Sequence, residues 1–325
     1  MTRRELITLL GVAAIRPLAV HAQQPATTAI GFLSSASADA YTPYVTAFRA
    51  GLAETGHVEG NSLAVEFRWA DSQYSRLRAL AEDLVRHRVS LIVATGGIAS
   101  AQAAKAATSS IPIVFISGFD PVGMGLVSSL NNPGGNVTGV SFFAAQLSAK
   151  RIGILRQLAP SAPIALLINP NNPNAAVELA DARAAAELAG QSIRVLNASS
   201  ERDLDDLAAS FDRERPGALL VGSDPFFVTQ RLRMIALMAR YAIPAMYNER
   251  QIVLDGGLLS YGASIAEAYR QAGVYAGKIL NGAKPAKLPV LQPTKFELVI
   301  NMKTAKTLGI EVPISMQMLA DEVIE

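Results

Sequence analysis

The sequence contains no cysteine among its 325 residues. This absence excludes disulfide bonds, iron–sulfur clusters, cysteine nucleophiles and thiolate zinc sites. It also excludes a lipid anchor attached to cysteine, so no lipid anchor is expected on an exported form. Aromatic residues make up only 6% of the chain, whereas 50% of the residues are hydrophobic. This composition is typical of an Ala-, Leu- and Val-rich α/β protein, and the length suffices for two lobes of ordinary size.

An excess of charge of one sign is also lacking. The chain has 29 basic and 27 acidic residues, and the part after residue 22 has 26 of each. It contains no long basic run. A neutral chain of this kind has no general electrostatic footprint for nucleic acid, so nucleic acid is not a predicted partner.

Histidine is scarce, and the familiar catalytic motifs are absent. Only His57 and His87 follow the first 22 residues, and neither belongs to an HExxH pattern or a carboxylate cluster. The sequence has no Gly-x-Ser-x-Gly elbow and no Walker A loop. Gly123–Ser128 partly resembles a dinucleotide turn, but it lacks the third glycine and is interpreted as a helix start. We therefore predict no enzyme, no metal and no cofactor, with a carboxylate-only enzyme as the alternative.

The first 22 residues have the pattern of a cleaved signal peptide. Arg3 and Arg4 precede the apolar run Leu6–Ile15, and Val20-His21-Ala22 approximates a small-x-small cleavage site. The apolar run is far shorter than the ~20 residues that span a bilayer, and no later run is long and charge-free enough to do so. We expect export to the periplasm. The alternative is an N-terminal amphipathic helix of a cytoplasmic protein.

Two export routes remain open for this leader. The stretch Thr2–Leu6 fits a twin-arginine pattern, which routes folded proteins, whereas Arg16 interrupts the apolar run. Twin-arginine and general secretion are therefore both retained, with a mature chain that starts near Gln23.

Short apolar runs alternate with helical patterns from residue 28 onward. The alternation predicts parallel sheets covered by helices on both faces, because the runs are apolar throughout rather than at every second position. Val65–Trp69 is the exception, since charges alternate with apolar residues there, and we place it near a sheet edge. The predicted strands are 29–33, 63–69, 91–95, 111–117, 137–141, 164–169, 192–196, 218–223, 243–247, 258–261 and 296–300, with helices at 40–55, 74–88, 98–107, 145–158, 174–189, 226–241 and 264–281.

The strands fall into two similar sets of four, which begin near residues 29 and 164. This repetition predicts a structural duplication, with two doubly wound lobes side by side and a junction near Asn131–Ser141. The pattern alone leaves open which lobe the strand and helix at 257–281 extend.

Ligands of open parallel sheets bind beyond the carboxyl ends of the strands, so the residues at those positions are the candidate site. Small hydroxyls, amides, glycines and a few aromatics occur there, which suits capture of a small polar ligand better than catalysis. The ligand-binding candidates are Ser34, Ser35, Tyr41, Thr95, Gly96, Ser117, Asp120, Thr138, Ser141, Asn169, Asp224, Tyr247 and Tyr261.

Several candidates have a structural alternative. Asp224 before Pro225 is a good helix N-cap, and Ser34 and Ser35 could also cap a helix. Thr95–Gly97 could be a strand-to-helix turn only. Tyr41 and Tyr44 on the first helix could pack in the core as readily as face a cleft.

Several stretches together resemble the ABC transporter substrate-binding family that includes tryptophan- and tyrosine-uptake proteins. The resemblance covers residues 28–325 and depends on the order of motifs that are individually weak. The motifs are Gly56–Asn61 (GHVEGN), Val65–Asp71, Leu91–Gly97, Val137–Ser141 (VTGVS), Ala283–Pro285, Pro293–Leu308 (PTKFELVINMKTAKTL) and Ala320–Ile324.

The resemblance implies a fold in which the two lobes are interleaved in sequence. This is the type I periplasmic binding fold: α/β, with two doubly wound parallel-sheet lobes joined by a three-segment hinge. Residues 28–137 plus 257–285 would form lobe one, and residues 138–254 plus 286–325 would form lobe two. Crossings near 138–141, 252–258 and 284–292 would form the hinge, and closure around ligand would present a shape that the importer's membrane subunits recognise.

The resemblance also implies a ligand class. Some relatives bind aromatic amino acids, and the family's contacts at strand ends match the candidates above by position. Asp120 and Asp224 are the predicted partners for a ligand ammonium, and if both are caps, an aromatic acid without an ammonium is favoured. A ligand-sensing module of the same fold that acts in signalling, rather than uptake, is the alternative function.

Overall fold

The computed structural model describes residues 28–60, 63–142, 147–160, 163–293 and 295–325. The predicted signal peptide, residues 1–22, lies outside the described residues. Within these ranges, no helix combines the length and the apolar character that crossing a membrane requires.

The first sheet has five parallel strands in the order β2-β1-β3-β4-β5. The edge position of β2 confirms the prediction from its alternating charges. The strands are Thr28–Ser34 (β1), Leu63–Trp69 (β2), Leu91–Thr95 (β3), Ile113–Ser117 (β4) and Val137–Ser141 (β5), and the helices between them are Ala38–Ala53 (α1), Leu77–Arg86 (α2) and Ile98–Ala107 (α3).

The second sheet has seven described strands in the order β12-β11-β10-β9-β8-β6-β7, of which β11 runs antiparallel to β10. Its strands are Ile164–Ile168 (β6), Ile193–Asn197 (β7), Ala218–Val221 (β8), Ala245–Tyr247 (β9), Leu259–Ala263 (β10), Phe296–Asn301 (β11) and Glu322–Ile324 (β12). The remaining helices are Ser148–Leu158 (α4), Ala175–Leu188 (α5), Glu201–Arg213 (α6), Pro225–Thr229 (α7), Arg231–Arg240 (α8), Arg250–Leu254 (α9), Ile265–Leu280 (α10), Met302–Leu308 (α11) and Ile314–Leu319 (α12).

Apolar side chains cover both faces of each sheet. Phe32 and Leu33 are adjacent on β1 and belong to different buried clusters, as do Leu166 and Leu167 on β6. Successive strand residues point to opposite faces, so helices must cover both sides of such a strand. The continuous apolar runs in the sequence have this physical cause.

The two sheets repeat one strand order. In the first sheet the order is 2-1-3-4-5, and β7-β6-β8-β9-β10 repeats that order in the second. The predicted duplication into two doubly wound lobes is therefore confirmed. The duplicated unit has five strands rather than four, because β5 and β10 occupy equivalent positions next to β4 and β9; β5 is the edge of its sheet, whereas β10 also pairs with β11.

This fifth strand changes the predicted boundaries between the lobes. Residues 257–263 were expected in lobe one, but β10 hydrogen-bonds to β9 and β11 of the second sheet. Residues 138–141 were expected in lobe two, but they complete β5 beside β4. Leu291 forms a parallel bridge with Val140 of β5, so residues 286–291 also pack with the first sheet. The chain therefore passes between the sheets after Ser141, at Ser264 and between Leu291 and Phe296.

Helix α10 returns to the first sheet and packs along α1. Two glycines allow this close approach. A Cβ on Gly51 would lie 1.9 Å from the Arg270 carbonyl oxygen, and one on Gly273 would lie 2.1 Å from the Phe48 carbonyl oxygen. No larger residue fits between backbones at these distances. The pairing fixes the position of the tyrosines that α1 and α10 carry.

Candidate functional site

The carboxyl ends of the strands in both sheets face each other across a cavity. It has a volume of about 420 Å³, part of which is open to solvent. The cavity lies at the switch point of both doubly wound sheets, which is between β1 and β3 in the first sheet and between β6 and β8 in the second. The first lobe contributes Tyr41, Gly96, Gly97, Ile116, Gly118, Phe119, Phe142, Ile265 and Tyr269, and the second contributes Ser223, Asp224, Pro225, Asn248 and Glu249.

The wall from the first lobe is aromatic. Tyr44 stacks on Tyr269 with ring centroids 5.2 Å apart, and Tyr41 contacts both rings edge-on at 5.2 and 6.2 Å. Edge-on and offset arrangements of this kind are the favoured aromatic geometries. Burial raises the pKa of the Tyr269 hydroxyl, and the neighbouring Thr95 side chain opposes that shift. The three rings form a rigid, uncharged surface.

A glycine turn ends β3 beside these rings. Gly96 has φ +73°, and a Cβ there would lie 2.6 Å from Ser35 Oγ. The same Ser35 hydroxyl donates to the Gly96 carbonyl at 2.5 Å, which joins the ends of β1 and β3. Gly97 then precedes α3 as its N-cap residue. The first amides of a helix are good partners for a carboxylate, and both glycines line the cavity.

The wall from the second lobe is acidic. Asp224 is buried and has the N-cap role expected from its sequence, since it accepts the Phe226 N–H at 2.8 Å. It also accepts Asn169 Nδ2 at 3.1 Å. Burial raises the pKa of Asp224, and the hydrogen bonds from Tyr74 and Asn169 oppose this. Asp224 is therefore both a helix cap and part of the cavity wall.

Glu249 lies beside Asp224 and is only 6% exposed. It accepts the Tyr44 hydroxyl at 2.5 Å. Burial raises the pKa of Glu249 to about 7, because desolvation disfavours the charged form more than Tyr44, Arg231 and Arg151 favour it.

A buried charged pair supports this acidic wall from behind. Both carboxylate oxygens of Glu178 accept the Ser223 N–H, at 2.9 and 3.1 Å. Burial lowers the pKa of Arg151 to about 10, and the charge of Glu178 opposes this. Arg151 Nε donates to the Tyr261 carbonyl at 2.8 Å. The pair holds the backbone that precedes Asp224 and places positive charge within electrostatic reach of Glu249.

Among the described residues, three hydrogen bonds join the two lobes around the cavity. The Tyr44 hydroxyl donates to Glu249, and the Tyr74 hydroxyl donates to Asp224 at 2.7 Å. Ser37 and Thr229 share a hydroxyl–hydroxyl bond at 3.3 Å. The structure is therefore a closed form, in which tyrosines of one lobe bind the acids of the other.

The predicted site residues divide into three groups. Tyr41, Gly96 and Asp224 line the cavity. A second group is buried and does not line the cavity, and its side chains contact other parts of the protein. Ser34 accepts the Ala36 N–H, Ser35 donates to Gly96, Ser117 accepts the Phe119 N–H, Ser141 donates to the Phe119 carbonyl, Thr138 donates to the Leu288 carbonyl, Asn169 donates to Asp224, and Thr95 lies beside Tyr269.

The structure places three predicted residues away from the cavity. Asp120 is exposed and accepts the Val122 N–H at 2.9 Å, so it is a turn cap. Tyr247 is 1% exposed in an apolar cluster of the second lobe, because it is on the strand rather than after it. Tyr261 stacks on Phe296 at 6.3 Å, in the middle of β10. Each has a structural role in place of the predicted one.

Sequence reasoning missed Glu249 and Tyr269, and it left open whether Tyr44 faces the cleft or packs in the core. Glu249 is the second residue after β9, and the rule of reading strand ends would have found it if extended by two positions. Tyr44 is one turn from Tyr41 on α1, so its helical spacing was a usable signal. Tyr269 comes from α10, and its place in the cavity depends on a helix packing that no local pattern predicts.

Comparisons with known proteins agree with this geometry. The family model described as ABC transporter substrate binding protein matches residues 29–324. The tyrosine-binding protein of Clostridioides difficile (strain R20291) is 27% identical over 269 residues, which cover 81% of this chain and 76% of that protein.

Two solved structures are similar over most of their length. The ABC domain in complex with L-Trp from Streptococcus pneumonia is 27% identical, with a TM-score of 0.79 and coverage of 91% of this chain and 100% of that one. The ligand-free, open form of a substrate-binding protein with adhesive properties from Clostridium difficile is 25% identical, with a TM-score of 0.64 and coverage of 92% and 99%.

Proposed function

Because this chain belongs to the ABC transporter substrate-binding protein family, we propose that it captures an aromatic L-amino acid for an ABC importer. The family and these neighbours are substrate-binding proteins rather than enzymes, in agreement with the sequence. The observation that carries the proposal is the pairing of an aromatic wall with an acidic wall across one cavity. An amino acid with a flat side chain and an ammonium group matches both walls.

The acidic wall favours a cationic group on the ligand. Asp224 and Glu249 both line the cavity, and none of its described lining residues is a lysine, arginine or histidine. A buried carboxylate that faces an apolar space is unfavourable unless a cation or donors approach it. Asp120 and Asp224 are both caps, which is the condition under which the sequence favoured an aromatic acid without an ammonium. Glu249, which the sequence did not single out, supplies the acid that favours an amino acid instead.

The first lobe offers complementary partners for the rest of the molecule. Tyr41, Phe119, Phe142 and Tyr269 provide flat surfaces for an aromatic side chain. The amides around Gly97, at the N-terminus of the ten-residue helix α3, suit the carboxylate.

The relatives support the same ligand class. One is named a tyrosine-binding protein, and one was solved in complex with L-Trp. This chain is also more similar to the L-Trp complex than to the ligand-free, open form, with TM-scores of 0.79 and 0.64. The difference supports capture by hinge closure, with the interlobe hydrogen bonds as part of the closed form.

We propose that the moving bodies follow the sheets rather than the boundaries expected from sequence. Lobe one would be residues 28–142 plus 265–292, and lobe two 147–263 plus 295–325. Of the described residues, those that we infer as part of the hinge are Phe142, Leu147, Ser264, Gln292, Pro293 and Lys295. We also propose that residues 1–22 direct export to the periplasm, where the closed form meets the importer's membrane subunits.

A thermal-shift and calorimetric screen tests the ligand class. L-tryptophan, L-tyrosine and L-phenylalanine are compared with a matched set of sugars. At a ligand concentration 100-fold above Kd, stability should rise by roughly 2.7 kcal/mol for at least one aromatic amino acid. Binding of a sugar and of none of these amino acids would contradict the proposal.

A further inference from the structure

The two carboxylates of the cavity wall differ in how many acceptor positions they have left. Asp224 accepts four hydrogen bonds: from the Phe226 N–H at 2.8 Å, Asn169 Nδ2 at 3.1 Å, Tyr74 Oη at 2.7 Å and Asn172 Nδ2 at 2.7 Å. An ionised carboxylate offers about four lone-pair sites. Asp224 is therefore filled by the protein itself and has little capacity for a ligand.

Glu249, in contrast, has most of its acceptor positions left. Among the described residues, its side chain accepts one hydrogen bond, from the Tyr44 hydroxyl. It is buried and lines the cavity, so roughly three of its lone-pair sites have no described protein donor. An acceptor that lines the cavity without a protein donor is available to a donor from a ligand. A cationic N–H group in the cavity would fill these positions.

The charged groups around Glu249 do not replace such a cation. Arg231 on α8 attracts it, but Arg231 Nε binds Asp255 at 2.5 Å. Arg151 on α4 also attracts it, but Arg151 Nε donates to the Tyr261 carbonyl. The other titratable neighbours are Tyr41 and Tyr44 on α1 and Tyr269 on α10, all uncharged. The acid Asp224 lines the same cavity. The cavity side of Glu249 therefore faces aromatic rings and a second acid.

Tyr44 ties the orientation of Glu249 to closure. Its hydroxyl reaches Glu249 from the opposite lobe, and its ring is stacked on Tyr269 within the aromatic wall. The hydrogen bond can form only when the lobes are together. A ligand that binds Glu249 therefore meets a carboxylate whose geometry is set by the lobe that closes over it.

We propose that Glu249 is the anchor for the ligand's cationic group, that Tyr44 is the positioning residue that couples this anchor to closure, and that Asp224 serves the framework. The inference rests on the proposed function and assigns its specificity to one side chain. A pKa near 7 agrees with it, because an ammonium would favour the ionised form and its binding would release a proton from Glu249.

Calorimetry with two probes tests the assignment. L-tryptophan and indole-3-propionate share the ring and the carboxylate, and only the first has an ammonium. We expect the wild-type protein to bind L-tryptophan at least 100-fold more tightly. Glu249→Gln should reduce this ratio below tenfold, whereas Asp224→Asn should weaken both probes and keep the ratio. If Glu249→Gln keeps the wild-type ratio, the assignment is wrong.

The pH dependence provides a second readout. Wild-type affinity for L-tryptophan should rise with pH by up to tenfold per unit below about pH 7 and then level off. Glu249→Gln should have a flat profile. Tyr44→Phe should move the midpoint to higher pH, because the Tyr44 hydrogen bond lowers the pKa of Glu249. An unchanged midpoint in Tyr44→Phe would overturn its positioning role.

The two proposals fail in different ways. If the wild-type protein binds none of the three aromatic amino acids, the ligand class is wrong and the anchor assignment falls with it. If the wild-type protein binds them and the Glu249→Gln ratio and pH profile are those of the wild type, only the anchor assignment falls.

Discussion

The two walls of the cleft are built on the same strand order and have different chemistry. The first lobe presents aromatic rings and glycine amides, whereas the second presents carboxylates supported by Arg151 and Glu178 behind them. Duplication has thus fixed the positions of the strand ends but not the residues there. In the proposed complex each lobe would contact a different end of the ligand, so neither wall alone would have the full set of partners and closure would be required to assemble the site.

The largest expected effect comes from removing the charge behind the acidic wall. Arg151→Met should lower the free energy of unfolding by about 3–5 kcal/mol, because it leaves Glu178 buried without its cation. Chemical denaturation measures the change. Lys150→Met, an exposed neighbour on the same helix, is the control and should change stability by less than about 0.5 kcal/mol. A small effect of Arg151→Met would show that the second wall does not depend on this pair.

The next-largest effect concerns Glu249, one of the two acids of that wall. The folded-state pKa of Glu249, about 7, lies above its ordinary value of 4.5, so the folded protein holds the extra proton between these pH values. The wild-type protein should therefore lose up to about 3 kcal/mol of stability as pH rises from 4.5 to 7.

Substitution of Glu249 should remove this pH-dependent loss of stability. Without ligand, Glu249→Gln should be more stable than the wild type at pH 8 and nearly equal to it at pH 4, as urea denaturation at the two pH values would measure. Glu311→Gln, an exposed carboxylate of the same lobe, is the control. An equal difference at both pH values would contradict the role of ionisation.

A smaller effect is expected in the glycine turn of the first wall. Gly96→Ala combines a positive φ with a Cβ 2.6 Å from Ser35 Oγ, so it should destabilise the protein by about 2 kcal/mol and weaken ligand binding. Gly135→Ala has a similar φ, +61°, and free space around its Cβ. The difference between the two variants in free energy of unfolding and in ligand affinity isolates the steric effect of the contact with Ser35. Equal effects would mean that the Ser35 contact is easily relieved.

The smallest effect tests an interlobe bond. Tyr74→Phe removes a hydroxyl that donates to Asp224, which should shift the closing equilibrium by about 1.5 kcal/mol and weaken ligand affinity by roughly tenfold. Tyr241→Phe removes a hydroxyl bound within the second lobe and should leave affinity unchanged. Small-angle scattering should show a more open average form for Tyr74→Phe alone. The same affinity in both variants would exclude Tyr74 from closure.

Local patterns predicted the elements well and the far-apart contacts poorly. Strands β2, β3 and β5 have the predicted bounds, because a continuous or alternating apolar run reports burial directly. The predicted helix 226–241 is two helices that meet at Gln230, and β12 is absent from the predicted elements, since neither has a distinctive pattern. Asp224 was predicted both as a cap and as a site residue, and in the structure it is the N-cap of α7 and lines the cavity.

The sequence by itself determined the α/β class, the duplication, the family and the strand ends around the cavity. The class, the duplication and the strand ends depend on periodicity and on local turn chemistry, which the chain encodes within short windows, whereas the family depends on the resemblance of several motifs in order. Only the tertiary structure decided that β10 joins the second sheet, that α10 carries Tyr269 back to α1, and that Glu249 meets Tyr44 across the cleft. The last two of these contacts join residues about 200 positions apart, and the burial that raises the pKa of Glu249 exists only once both lobes are folded and closed.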